Sequence, residues 1–115
     1  MSNQIMMPNQ IMPQPVIKNG LPAIHPGEFL REILQELPLS QSAFAKNLHV
    51  SSMRISHVLN GSRPISAELA LRLGQALGQS PQYWLNLQTA YDLKTAQQSL
   101  AHELTTIEAL LPLAA

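Results

Sequence analysis

Between Ser51 and Asn60 the chain gathers side chains able to read the edges of base pairs. Arg54 could donate two hydrogen bonds to guanine O6 and N7, and Ser52 and Ser56 can donate or accept. His57 could bond a base edge or a phosphate, and Met53 could pack on a thymine methyl. On a helical wheel Ile55, Val58 and Leu59 take the buried side, so Met53, His57 and Asn60 point outward with Arg54 and Ser56 on the flanks. Ser51 and Ser52 lie at the end that would enter the major groove first. Outside this run, Gln41 fits a side-chain and backbone-amide clamp on a phosphate. Lys46 and Arg63 fit phosphate contacts, or simply solvated charges.

Catalytic chemistry finds little footing. His102-Glu103 matches the start of a zinc-protease motif, but Thr106 stands at the second histidine position. His25, His49, His57 and His102 lack metal-ligand spacing, and no glycine-rich phosphate loop is present. Trp84 and Tyr91, at helical spacing, read as core. The expectation is a protein that is not an enzyme and carries no cofactor or metal.

The reading residues need a scaffold, and Leu39 to Gly61 supplies it. Ser40 is a suitable N-cap for one short helix, QSAFAKNL, and Ser51 for a second, SSMRISHVLN. Asn60-Gly61 ends the second helix. A helix-turn-helix needs a small residue where the helices cross, a turn residue tolerant of positive φ, and two β-branched residues to lock the second helix. Ala45, His49, Ile55 and Val58 meet those demands in order. Glycine is usual in the turn, and histidine is among the residues enriched at positive φ.

The flanking sequence completes an all-α domain. Pro26 opens a first helix, Pro26 to Leu37, with Glu28 in its first turn and Pro38 ending it. His25 reads as a structural residue at the helix start. Ser66 caps a fourth helix, with Glu68 nearby and Leu69, Ala70, Leu73, Ala76 and Leu77 on its buried face. Gly78 ends it. Ser80-Pro81 starts a fifth, bearing Trp84, Leu85, Leu87 and Tyr91. Five helices in this order predict a lambda-repressor-like domain over residues 20–93. Residues 1–19, rich in Met, Asn, Gln and Pro, predict a disordered or extended arm. Residues 94–115 predict a helical C-terminal extension with a stripe of Leu100, Leu104, Ile107 and Leu111. That stripe either packs back on the core or buries against a second copy or another protein.

A chain of 115 residues suits one domain. It has no cysteine, which excludes disulfides and thiolate metal sites. No apolar run is long enough to span a membrane and the N-terminus lacks a signal pattern, so a cytoplasmic location is expected. The formal net charge is +0, but residues 40–65 hold three cations, two histidines and no carboxylate. A mildly basic face on a neutral protein suits a nucleic-acid reader that depends on dimerisation more than on bulk charge.

Four segments together resemble the HigA antitoxin family of Xre-type regulators. They are His25-Pro26-Gly27-Glu28, Asn60-Gly61 with the following loop, Ser66 to Leu71, and Ser80 to Leu87 with its Trp-Leu-Asn-Leu-Gln. The similarity covers about Ile24 to Leu93. His49 in the turn and the compressed link Glu36-Leu37-Pro38 depart from the family pattern, and the arm and tail fall outside it. The resemblance implies an antitoxin that neutralises a RelE-like, ribosome-dependent mRNA endonuclease by direct binding. It also implies a homodimer that binds operator DNA and represses its own operon. A free-standing Xre-type repressor without a toxin partner is the alternative.

Overall fold

Helix starts in this chain are set by caps and prolines, and each forms where local chemistry puts it. The computed structural model describes residues 22–112, so the predicted N-terminal arm lies outside the described residues. Helix α1 (Pro26–Glu36) has proline in its first turn and His25 as N-cap, the imidazole Nδ1 accepting the Gly27 N–H at 2.9 Å. It stops one residue short of the expected Leu37. That residue is extended, at φ −89° and ψ 143°, as a residue before proline should be.

Helices α2 (Gln41–Leu48) and α3 (Ser52–Leu59) are capped by Ser40 and Ser51, whose hydroxyls accept the N–H of Ala43 at 3.1 Å and of Arg54 at 3.0 Å. Ser66 caps α4 (Ala67–Leu77) through the Leu69 N–H, and Gly78 ends it in the left-handed region. Ser80 caps α5 (Pro81–Thr105), a single helix of 25 residues.

The helices enclose one core. Leu30, Phe44, Ala45, Leu48, Ile55, Val58, Ile65, Leu69, Leu73 and Trp84 are buried, with α3 packed against α1 and α2, and α4 against α2 and α5. Burying such side chains is the main drive to this arrangement, at about 1.5–3 kcal/mol each. Two expectations change. Ala76 is exposed and Gly74 takes its place on the buried side of α4, where a β-carbon would collide with the Gln79 carbonyl. On α5, Leu87 and Tyr91 are half-buried, whereas Gln88 is buried because its Oε1 accepts the Ile65 N–H at 2.7 Å. An otherwise unpaired loop amide is thereby satisfied.

Helix α5 runs unbroken across residues 93 and 94 and then leaves the core. Its apolar stripe is helical only as far as Leu104, because Thr106 caps the helix and Ile107 and Leu111 lie beyond it. Leu100 and Leu104 are nearly half exposed, and Ile107 and Leu111 more so. The stripe does not pack back on the core.

Candidate nucleic-acid interface

The turn between α2 and α3 sets the interface. His49 adopts φ 62°, ψ 38°, and the N–H groups of His49 and Val50 close the end of α2 onto the carbonyls of Lys46 and Ala45, each at 3.0 Å. Ala45 is buried where the helices cross, and Ile55 and Val58 are fully buried. With that side of α3 fixed, Ser52 and Met53 face solvent, Met53 with 67% of its surface exposed. Ser56 and His57 are part-exposed on the same helix, and Ser51, Asn60, Gln41, Lys46 and Arg63 are exposed. The starts of α2 and α3 adjoin, since the Ser42 and Ser52 hydroxyls are 3.5 Å apart. None of the ten predicted residues is buried, and all lie on α2, on α3 and its caps, or in the loop that follows.

Besides Ser51, whose hydroxyl caps α3, and Ser52, whose hydroxyl lies against that of Ser42, Asn60 and Arg54 are already engaged. The Asn60 Oδ1 accepts from the Ser62 N–H at 3.0 Å and the Ser62 hydroxyl at 2.7 Å, which shapes the loop after α3. Arg54 forms an ion pair with Glu68, Nη2 to Oε1 at 3.1 Å, and also reaches the Ser66 hydroxyl at 3.4 Å. Residues 40–65 lack a carboxylate in sequence, but folding brings one to them from α4. The Glu68 carboxyl is held below its ordinary pKa by hydrogen bonds from Arg54 and then Arg72.

Several residues that fix α3 carried no separate signal in the sequence. Arg31 on α1 donates through Nη2 to the Leu59 carbonyl at 2.9 Å, satisfying the end of α3. Arg72 does the same for α2, Nη1 reaching the Leu48 carbonyl at 2.9 Å, while its Nε donates to Glu68 at 2.8 Å. Only the Glu68–Arg72 pair, four residues apart on one helix, has a spacing that could have revealed it.

His25 is a structural latch, as its position suggested. Besides capping α1, its ring lies on Gly61 and meets Tyr91 edge-on at 4.9 Å and 73°. Burial lowers its pKa below 6.5, against smaller opposing effects of the Arg63 backbone, Asp92 and Glu28. The neutral ring keeps the lone pair that caps α1. Among the described residues no group of three or more His, Asp or Glu side chains is placed to hold a metal. Nor is any helix among them long and apolar enough to cross a membrane.

Known proteins share this arrangement. The Helix-turn-helix family matches residues 30–84. Virulence-associated protein I of Dichelobacter nodosus is 54% identical over 85 residues, 73% of this chain and 79% of that protein. An addiction module antidote protein of the HigA family from Coxiella burnetii is 39% identical, with a TM-score of 0.75 over 79% of this chain and 100% of that one. The chain belongs to the HigA antitoxin family. This HigA-family chain is similar as well to the Pseudomonas aeruginosa antitoxin HigA, solved with the higBA promoter. The two are 42% identical with a TM-score of 0.73, over 77% of this chain and 99% of that one. The five-helix, lambda-repressor-like fold expected from the sequence is thus the HigA fold, and the four segments that carried the resemblance are parts of it. Within that fold His25 and Gly27 seat α1 against α3, and Trp84 fills the core beneath α4.

Proposed function

We propose that this HigA-family protein is an antitoxin that neutralises a RelE-like mRNA endonuclease by direct binding and, as a dimer, represses its own operon. The observation that carries the DNA half is the outward side of α3. It rests on the buried Ile55 and Val58 and carries Ser51, Ser52, Met53, Ser56, His57 and Asn60, while Gln41 and Lys46 on α2 and Arg63 after α3 are exposed. In a helix-turn-helix such a surface enters the major groove, and its rim contacts phosphates. The family relative solved with promoter DNA supports the same use here.

A palindromic operator calls for two copies. The exposed Leu100 and Leu104 of α5 offer apolar area for pairing, away from the α3 surface in sequence and in the core packing. The toxin's contact surface has no motif of its own, and residues 1–19 are one candidate for it. Cytoplasm is the compartment in which promoter DNA and ribosome-bound mRNA would both be met.

Induction of the adjacent reading frame, alone and with this protein, tests the proposal. Growth arrest relieved by co-expression, with the two proteins co-purifying, would support the antitoxin. Arrest that this protein cannot relieve, or no arrest, would leave a free-standing repressor. Promoter binding is measured separately by gel shift. Deleting residues 1–19 from the co-expressed protein asks whether neutralisation needs the arm, and full protection by the truncated form would clear it.

A further inference from the structure

Arg54 meets Glu68 end-on. Nη2 donates to Oε1 at 3.1 Å and Nη1 to Oε2 at 3.3 Å. These terminal nitrogens are the ones an end-on bidentate contact with guanine O6 and N7 would use. A carboxylate that steadied an arginine for such a contact would sit on the Nε side and leave the ends free. Glu68 does the reverse. It is itself anchored, because Arg72 donates to Oε2 at 2.8 Å while reaching the Leu48 carbonyl at 2.9 Å. The Arg54 and Glu68 side chains are 22% and 55% exposed, so water and DNA can reach the pair.

We propose that Glu68 is a specificity-determining residue for operator binding, competing with DNA for the end-on face of Arg54. The proposal rests on the operator-binding reading above. Opposite guanine, one charge-assisted fork is exchanged for another of the same geometry. Adenine, cytosine and thymine lack that acceptor pair, and Arg54 stays on Glu68. Without the carboxylate, Arg54 would find phosphates on any sequence, adding affinity without discrimination. The negative charge of Glu68 also works against non-specific DNA, a penalty that guanine alone offsets.

Glu68→Gln keeps the side-chain length and removes the charge. Affinities are measured at one salt concentration for a promoter duplex, its single-base variants and an unrelated duplex of equal length. Unrelated DNA should bind the variant roughly three- to tenfold more tightly, and the promoter should gain less. Discrimination should shrink at the position where Arg54→Ala also loses its preference. In an Arg54→Ala background, Glu68→Gln should shift all sequences alike. Weaker promoter binding with unchanged base preferences would overturn the proposal and make Glu68 a strut for α3. Unchanged preferences at any affinity would overturn it too. Glu68→Ala repeats the readout without the amide, and thermal unfolding of each variant separates a lost fold from a lost contact. Failure of the unmodified protein to bind the promoter duplex would instead refute the operator-binding reading itself.

Discussion

Gly27 lies against the backbone carbonyl of Val58, with no room between them for a β-carbon. That contact presses the first turn of α1 onto the last turn of α3 and fixes the depth of the recognition helix. Gly27→Ala would drive a methyl into backbone rather than into a movable side chain. It should cost about 1–3 kcal/mol of stability, read by urea unfolding, because overpacking forces the backbone to shift. Promoter affinity should fall with it as α3 tilts. An alanine variant as stable as the parent would show that α1 and α3 are not locked by this contact.

The latch at His25 makes stability depend on pH, with a definite sign. Burial holds its pKa in the folded state below 6.5, so between the two pKa values the unfolded chain binds more protons. Its contribution is therefore complete above 6.5 and is lost as the pH falls from there through the folded value. Unfolding free energies measured from pH 8 downward should show this loss. His25→Asn, which can cap without titrating, should remove that part of the slope. An identical slope in the variant would move the effect to another group.

His49 is the only non-glycine residue with positive φ among the described residues. Two substitutions there should act in opposite directions. His49→Gly relieves the left-handed conformation and should add up to about 1 kcal/mol of stability, and His49→Val should lower it by more than that. Thermal midpoints of the two variants check the pair. A destabilised glycine variant would mean that the imidazole makes a contact worth more than the backbone strain.

The rim and the centre of the proposed interface should behave differently on DNA. Lys46→Ala and Arg63→Ala should weaken binding to all sequences alike and each reduce the salt slope by about 1. Arg54→Ala should cost about 1–3 kcal/mol and relax preference at one base position. Titrations of promoter and unrelated duplexes at several salt concentrations distinguish the two patterns. A sequence-dependent effect at Lys46 would place it on a base edge instead.

The α5 tail gives a further test. Leu100→Glu with Leu104→Glu puts two charges on a surface that is nearly half exposed in one copy. The thermal midpoint of the isolated subunit should hardly change, since neither side chain belongs to the core. With the proposed dimer paired through this stripe, the mass measured by light scattering should fall from two chains to one, and promoter affinity with it. A variant that remains a dimer would send the pairing surface elsewhere on the molecule.

Much of this architecture was determined by the sequence alone, because its causes are local. Ser40, Ser51, Ser66 and Ser80 cap helices from within three residues, and Pro26, Pro38 and Pro81 fix backbone angles at or beside their own positions. The period of Ile55, Val58 and Leu59 decides which side of α3 is buried, and hence which side is left for DNA. His49 could be assigned its positive φ from its place between two amphipathic helices. Tertiary structure decided what those helices do to one another. Arg31 and Leu59 are 28 residues apart, Gln88 and Ile65 23, and Arg54 and Glu68 14. No periodicity links such pairs, and whether they meet depends on crossing angles and helix lengths that only the packed core sets. For the same reason a stretch without acids in sequence acquired a carboxylate in space. An apolar stripe that could have folded back was left in solvent because α5, once begun at Pro81, runs straight past the end of the core.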